Sequence, residues 1–164
     1  MTYIIKSSVQ GIINSSSQVT TNSSVQNTSG SANSHIAING SVIDFTPDAS
    51  ATYVIYEIGF YAEVVATTSF QSLKFEYSSD GGSSWSEFNQ NLGKNFGPPV
   101  TSTYRNFMNL KYVVDAWSGE RKLRVTSGSF GGGHVTSLHR LSNWDGAGSI
   151  SDKFCNTSVY VYAV

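Results

Sequence analysis

From Thr52 to Ala66 the chain reads TYVIYEIGFYAEVVA, where β-branched and aromatic residues dominate and no proline intervenes. That composition predicts one long β-strand. At ~3.3 Å per residue it would span roughly 50 Å, about twice the usual strand. Side chains alternate with a period of two, so Val54, Tyr56, Ile58, Phe60, Ala62, Val64 and Ala66 share one face. That face is wholly apolar and is predicted to be core. The opposite face carries Tyr53, Ile55, Glu57, Gly59, Tyr61, Glu63 and Val65. A lone antiparallel sheet shows water a polar face, so large apolar groups here point to another layer or another subunit; a partly exposed strand is the plainer alternative. Gly59 is a candidate bulge, which would swap the faces beyond it.

Similar alternation marks further strands. HIAI and SVIDF precede the long strand, closed by a turn at Thr46-Pro47-Asp48-Ala49. SLKFEYSS alternates Leu73, Phe75 and Tyr77 with Lys74 and Glu76, which predicts one wet face. Asp80-Gly81-Gly82 is read as a tight turn, with a return strand from Trp85 to Phe88. Phe96 to Val100, with two prolines, is read as a loop. A strand follows from Tyr104 to Trp117, then a hairpin turn at Ser118-Gly119-Glu120 and its partner strand RKLRVTS. Gly128 to Gly133 is a loop, VTSLHRL a strand, Asn143 to Gly148 a polar turn region and SVYVYAV the last strand, apolar on both faces. The turn spacing predicts an all-β antiparallel sandwich of about eight to ten strands, with a jelly roll as the best fit.

The first 34 residues differ. After two short apolar patches, Thr2 to Lys6 and Val9 to Ile13, residues 14 to 34 are almost free of charge and of large apolar groups. This composition predicts an extended polar arm, residues 1–34, ahead of a domain at 35–164. Ordering such an arm costs ~1–2 kcal/mol of backbone entropy per residue, so a partner is expected to hold it. A small hairpin bracketed by Val19 and Val25 is the alternative.

Composition narrows the partners. Charged residues are 13% of the chain and the net charge is −1, from 10 Lys+Arg against 11 Asp+Glu. No basic field is present to hold nucleic acid or an acidic membrane surface, and neither is expected as a partner. The single Cys155 rules out an intrachain disulfide and a Cys-rich zinc site; it is read as a small buried hydrophobe. The chain's start has no basic, then apolar, leader pattern, so secretion by signal peptide is not expected.

Candidate chemistry is thin. Ser78-Ser79-Asp80-Gly81-Gly82-Ser83-Ser84-Trp85 matches the S-x-D-x-G-x-S/T-W pattern of the Asp box, a structural hairpin of sialidase-like propellers. No blade-length repeat accompanies it, so Ser78, Asp80, Gly82 and Trp85 are read as hairpin residues. Glu57 and Glu63 lie about 20 Å apart along one strand, too far for paired glycosidase carboxylates. His134 and His139, five apart, would point to opposite faces of a strand and could not chelate one ion. Ser129 lacks the first glycine of a nucleophile elbow, and Gly131-Gly132-Gly133 lacks the Lys-Ser/Thr of a phosphate loop. We expect no enzyme activity, no catalytic residues, no metal and no cofactor. Trp117, Trp144 and Tyr104 would suit a sugar-stacking platform, with core packing as the alternative.

A Ser/Thr/Asn-rich arm, a sandwich built on YVIYEIGFYAE and a terminal apolar strand SVYVYAV together resemble small trimeric jelly-roll virion proteins of tailed phages. The topology is also similar to trimeric tumour-necrosis-factor-like and complement-like heads. The resemblance covers residues 35–164 and carries over no catalytic or ligand residue. It implies a homotrimer whose long and final strands line the interface, with Tyr53, Ile55, Tyr61, Tyr160, Tyr162 and Val164 as its residues. It implies a capsid cement or decoration protein, made in the host cytoplasm and located in the virion. The arm would then dock on the major capsid protein or another virion protein. The alternative is a receptor-binding tail-fibre or spike head that recognises host-surface glycan.

Overall fold

The computed structural model describes residues 11–28, 34–65, 69–88, 96–100, 104–129, 135–144 and 150–164. Its fourteen strands are β1 (Asn14–Thr20), β2 (Gln26–Asn27), β3 (His35–Ala37), β4 (Ile43–Phe45), β5 (Tyr53–Val65), β6 (Ser69–Ser78), β7 (Ser86–Glu87), β8 (Phe96–Val100), β9 (Tyr104–Asp115), β10 (Arg121–Ser129), β11 (Val135–Leu138), β12 (Arg140–Trp144), β13 (Ile150–Phe154) and β14 (Thr157–Ala163). All pairings are antiparallel, and no helix occurs among the described residues. The arrangement is that of a β-sandwich.

β5 is the axis of the first six-stranded sheet. One side pairs with β14 over Val54–Gly59 and then with β11 over Ala62–Val65; the other pairs with β9 over Tyr53–Val64. β1 lies outside β14, and β2 outside β11. In the second sheet β10 stands between β6 and the short β3 and β4, while β7 and β8 flank β6. β12 and β13 form a separate pair.

The predicted core face holds from Val54 to Ala62: Val54, Tyr56, Ile58, Phe60 and Ala62 are all buried, while the Val64 side chain and Ala66 lie outside the described residues. They meet Met108, Tyr112 and Val114 of β9, Val159, Val161 and Ala163 of β14, and Leu73, Phe75, Leu123 and Val125 of the second sheet. Phe75 is the aromatic hinge of this core, with ring centroids 4.8 Å from Tyr56, 4.8 Å from Tyr112 and 4.6 Å from Phe88. The Tyr56 hydroxyl donates to the Ser41 carbonyl at 2.5 Å, which satisfies the one polar atom this ring takes into the interior.

Several expectations are corrected. Gly59 makes no bulge, because the β5 registers with β9 and β14 run through it unbroken. Phe96–Val100 is a strand, not a loop: it joins β6 at Ser69↔Val100 and Gln71↔Phe96 with a register shift between. Its prolines are compatible with an edge position, where their missing donors are not needed. Ser118–Glu120 does not close a hairpin, since β9 belongs to the first sheet and β10 to the second. VTSLHRL is two strands, broken at His139 where φ is 70°. Within the stretch expected as an arm, Asn14–Thr20 pairs along β14 from Ala163 to Thr157, and Gln26–Asn27 pairs with β11. Met1 to Gln10 lie outside the described residues, as do His134 and the glycines 131–133.

Candidate assembly surface

The six residues predicted to form an interface lie on two neighbouring strands, Tyr53, Ile55 and Tyr61 on β5 and Tyr160, Tyr162 and Val164 in and just past β14. Register brings them together. Tyr162 sits opposite Ile55 and Tyr160 opposite Glu57, while Tyr53 and Val164 exchange backbone hydrogen bonds of 3.0 Å. The alternation that buries the even residues of β5 turns these side chains outward.

The face is wider than those six residues. β9 adds Phe107, Asn109, Lys111 and Val113 opposite Tyr61, Gly59, Glu57 and Ile55, and β1 adds Ser15, Ser17 and Val19 opposite Tyr162, Tyr160 and Ser158. Val19 is 68% exposed, Phe107 46%, Tyr53 45% and Val113 39%. Four large apolar side chains this exposed on one sheet face exceed the scattered single residues normal for a monomer's surface. The Tyr160 and Tyr162 rings lie 4.9 Å apart and extend the aromatic surface.

Its central charges, Glu57 and Lys111, are paired with each other. The Glu57 carboxylate accepts from Lys111 Nζ at 2.7 Å and from the Tyr162 hydroxyl at 2.9 Å. The Lys111 ammonium holds Glu57 below the usual carboxylate range, and Glu57 in turn raises Lys111. This ion pair presents a compensated charge to anything that covers it. Beside it, Gly59 opens a shallow hollow of about 440 Å³ bordered by Ser17, Asn109, Ser158 and Tyr160. A Cβ at Gly59 would stand 2.8 Å from Ser158 Oγ, 3.0 Å from Asn109 Oδ1 and 3.1 Å from Phe107 Cζ, so these side chains would have to shift to admit one.

No family model matches the chain, and no curated protein matches it. Among solved structures it is similar to a chain in the structure of infectious bursal disease virus Gx strain, at 8% identity and a TM-score of 0.34, over 93% of this chain. The chain spans 37% of that chain's length. A likeness this low assigns neither function nor family.

The Asp-box residues form a closed turn away from this face. Asp80 Oδ1 accepts from the Ser78 hydroxyl at 2.6 Å and the Ser84 N–H at 2.9 Å, the Ser78 oxygen accepts the Gly82 N–H at 2.8 Å, and Trp85 Nε1 donates to the Gly82 carbonyl at 3.0 Å. Gly81 and Gly82 take φ of 74° and 102°, which side chains disfavour. These hydrogen bonds, with that from Ser78 first, hold the Asp80 carboxyl well below its usual range. The Asp80 carboxylate is thus engaged by the turn's own donors.

Trp117 does not offer a free stacking face. Its ring lies against Phe45 and Phe88, with the Arg121 guanidinium 5.0 Å from the ring centroid. The side chains of Tyr104 and Trp144 lie outside the described residues. Cys155 is half-buried rather than fully buried, and burial raises its thiol.

One buried polar cluster had no sequence signal. His139, fully buried, approaches Gln26 Oε1 at 3.2 Å through Nε2 and Thr157 Oγ1 at 3.4 Å through Nδ1. The Asn22 amide donates to the Cys155 carbonyl at 2.8 Å and to Thr157 Oγ1 at 3.1 Å, and Gln26 Nε2 donates to the Ala37 carbonyl at 2.6 Å. This cluster latches residues 22–26 to the domain. Its partners are separated by up to 135 positions, so no local pattern reveals them.

Proposed function

We propose that this protein is a non-enzymatic structural subunit of a virion that assembles with copies of itself through the outer face of β5, β9 and β14. The observation that carries this reading is the exposed aromatic and aliphatic face with its internally neutralised Glu57–Lys111 pair. Covering it would remove apolar area from water at ~25 cal/mol per Å² without stranding an unpaired charge. The finer statements rest on the sequence resemblance: a jelly-roll homotrimer, with Tyr53, Ile55, Tyr61, Tyr160, Tyr162 and Val164 at the subunit contact, acting as a capsid cement or decoration protein. Binding to the assembled lattice and not to free capsid subunits would stabilise the shell by mass action.

Docking on the shell is assigned to the N-terminal segment within residues 1–34. Because β1 is part of the sheet, the informative truncation is residues 1–10, which spares the β1–β14 ladder. Cosedimentation with capsids tests it: the truncated chain is expected to keep its oligomeric mass and lose capsid binding. Retained capsid binding would refute the docking role. The fibre-head alternative calls for glycan binding, and a glycan array showing specific binding by the intact chain would replace the cement reading.

A further inference from the structure

We propose that the open end of the sandwich at Arg121 is a docking site for an acidic peptide segment of the virion partner, an Asp or Glu side chain of which is bound by the Arg121 guanidinium. That the peptide belongs to a virion partner rests on the proposed function; the carboxylate site rests on the cleft alone.

Arg121 is the first residue of β10, and its side chain falls in the row that Leu123 and Val125 send into the core. A cation in that row needs special accommodation. Arg121 is half-buried, with Cζ 4.3 Å from the Tyr77 ring centroid and 5.0 Å from that of Trp117. Phe88 backs both rings, at 4.6 Å and 6.1 Å between centroids, so the guanidinium sits in an aromatic frame. Tyr77, Glu87, Phe88, Asp115, Trp117 and Arg121 border a cleft of about 390 Å³.

The guanidinium lacks what other cations of this chain have. Lys74, Lys111, Lys122 and Arg124 pair with the carboxylates of Glu87, Glu57, Asp44 and Glu76. Arg124 is the informative comparison: its Cζ lies 3.8 Å from the Trp85 ring centroid and its Nε donates to Glu76 at 2.7 Å. Ring and carboxylate together complete that site. Arg121 has the rings and, among the described residues, neither an ion-pair partner nor a side-chain acceptor. Trp117 adds a second unmatched donor, because its buried Nε1 has no acceptor either. The cleft is therefore short of acceptors, and stacking has already oriented the planar fork that takes a carboxylate bidentately.

The neighbours of Arg121 narrow the ligand further. Asp115 and Glu87 border the cleft, and Glu87 is offset by Lys74. With Asp115 balancing Arg121, the site is close to neutral and favours a single negative charge over a dianion such as a phosphate monoester. Asp115 also accepts hydrogen bonds, and a peptide carries backbone N–H donors beside every side-chain carboxylate. A sugar acid fits less well, because the rings it would stack on already meet Arg121, Phe45 and Phe88. This contact adds to that of the N-terminal segment. Each is weak alone and strong when many copies bind one lattice, so loss of either is expected to release the chain.

Nitrogen–proton correlation spectra of the full chain test the site, because the Arg121 Nε–H and Trp117 Nε1–H signals report from the cleft. The probe is the blocked peptide Ala-Glu-Ala, with blocked Ala-Gln-Ala and methyl glucuronide as comparisons. Ala-Glu-Ala should shift both signals saturably, while Trp85 Nε1–H, bonded to the Gly82 carbonyl, stays in place. Ala-Gln-Ala should bind roughly 10–100-fold more weakly, as loss of a charge-assisted pair implies. Arg121→Lys keeps the charge and loses the fork, and should weaken Ala-Glu-Ala binding about tenfold. No saturable shift in the wild type, or unchanged binding by Arg121→Lys, would overturn the site and leave the assembly reading standing; the wild-type shifts decide even where the variant does not fold. Methyl glucuronide binding more tightly than Ala-Glu-Ala would overturn the peptide assignment. In cosedimentation, Arg121→Lys of wild-type oligomeric mass should bind capsids about tenfold more weakly. Capsid binding unchanged in that variant would overturn the virion partner as the source of the peptide, whereas a wild type that binds no capsid would overturn the docking reading itself.

Discussion

At the scale of single residues, two buried polar groups set testable energetics. The Tyr56 hydroxyl reaches the Ser41 carbonyl across the core, and burial pushes the phenol well above its usual range, so it acts only as a neutral donor. Tyr56→Phe keeps the ring contacts and strands the carbonyl; we expect a loss of about 1–2 kcal/mol in urea unfolding at neutral pH. A loss below a few tenths of a kcal/mol would mean that Ser41 finds another donor. His139 provides a pH signature. Burial lowers its imidazole from 6.5 to about 4, so the unfolded chain takes up the proton first as pH falls. The stability it contributes is complete above pH 6.5, is lost as pH falls toward 4, and declines no further below that. His139→Asn, a residue that tolerates the positive φ here, should flatten the unfolding midpoint between those pH values. An unchanged slope in the variant would assign the acid limb to other groups.

At the scale of elements, what the sequence shows depends on whether burial or backbone pairing makes the strand. β5 was legible because its inward residues, Val54 to Ala62, are all apolar and its period is strictly two. The outward placement of Tyr160 and Tyr162 was legible for the same reason, since they alternate with buried Val159 and Val161. β1 was read as arm because NSSSQVT buries almost nothing apolar; it is a strand through its ladder with β14 and through Asn14 and Gln18. The turn at Ser118–Glu120 shows a chain reversal, and a reversal alone does not say whether the next strand returns to the same sheet or crosses to the other. β8 was missed because prolines exclude a central strand but allow an edge one. The β1 strap gives a prediction at this scale. Gln18→Ala removes two hydrogen bonds to the Gly40 and Val42 carbonyls and should cost about 1–2 kcal/mol. Amide exchange should quicken in β1 while β5 stays protected; equal acceleration in both would show that β1 opens only with the whole domain.

For the whole molecule, the decisive question is whether the outer face of the first sheet is covered in the working state. Tyr53 tests it cleanly: its backbone is fixed by Val164, its side chain is 45% exposed, and its ring makes none of the core contacts around Phe75. Tyr53→Arg should therefore change folding stability by no more than about 0.5 kcal/mol, as surface substitutions do. If the face is an interface, an Arg here must be desolvated together with Asp115, which lies opposite it on β9, and the cost of burying that ion pair in place of an aromatic ring would weaken the assembly. Light scattering should then report a monomer at concentrations where the wild-type chain is assembled. A Tyr53→Arg chain that keeps the full wild-type mass would show that this face meets something other than a second copy, and the capsid surface itself would become the partner to test against it.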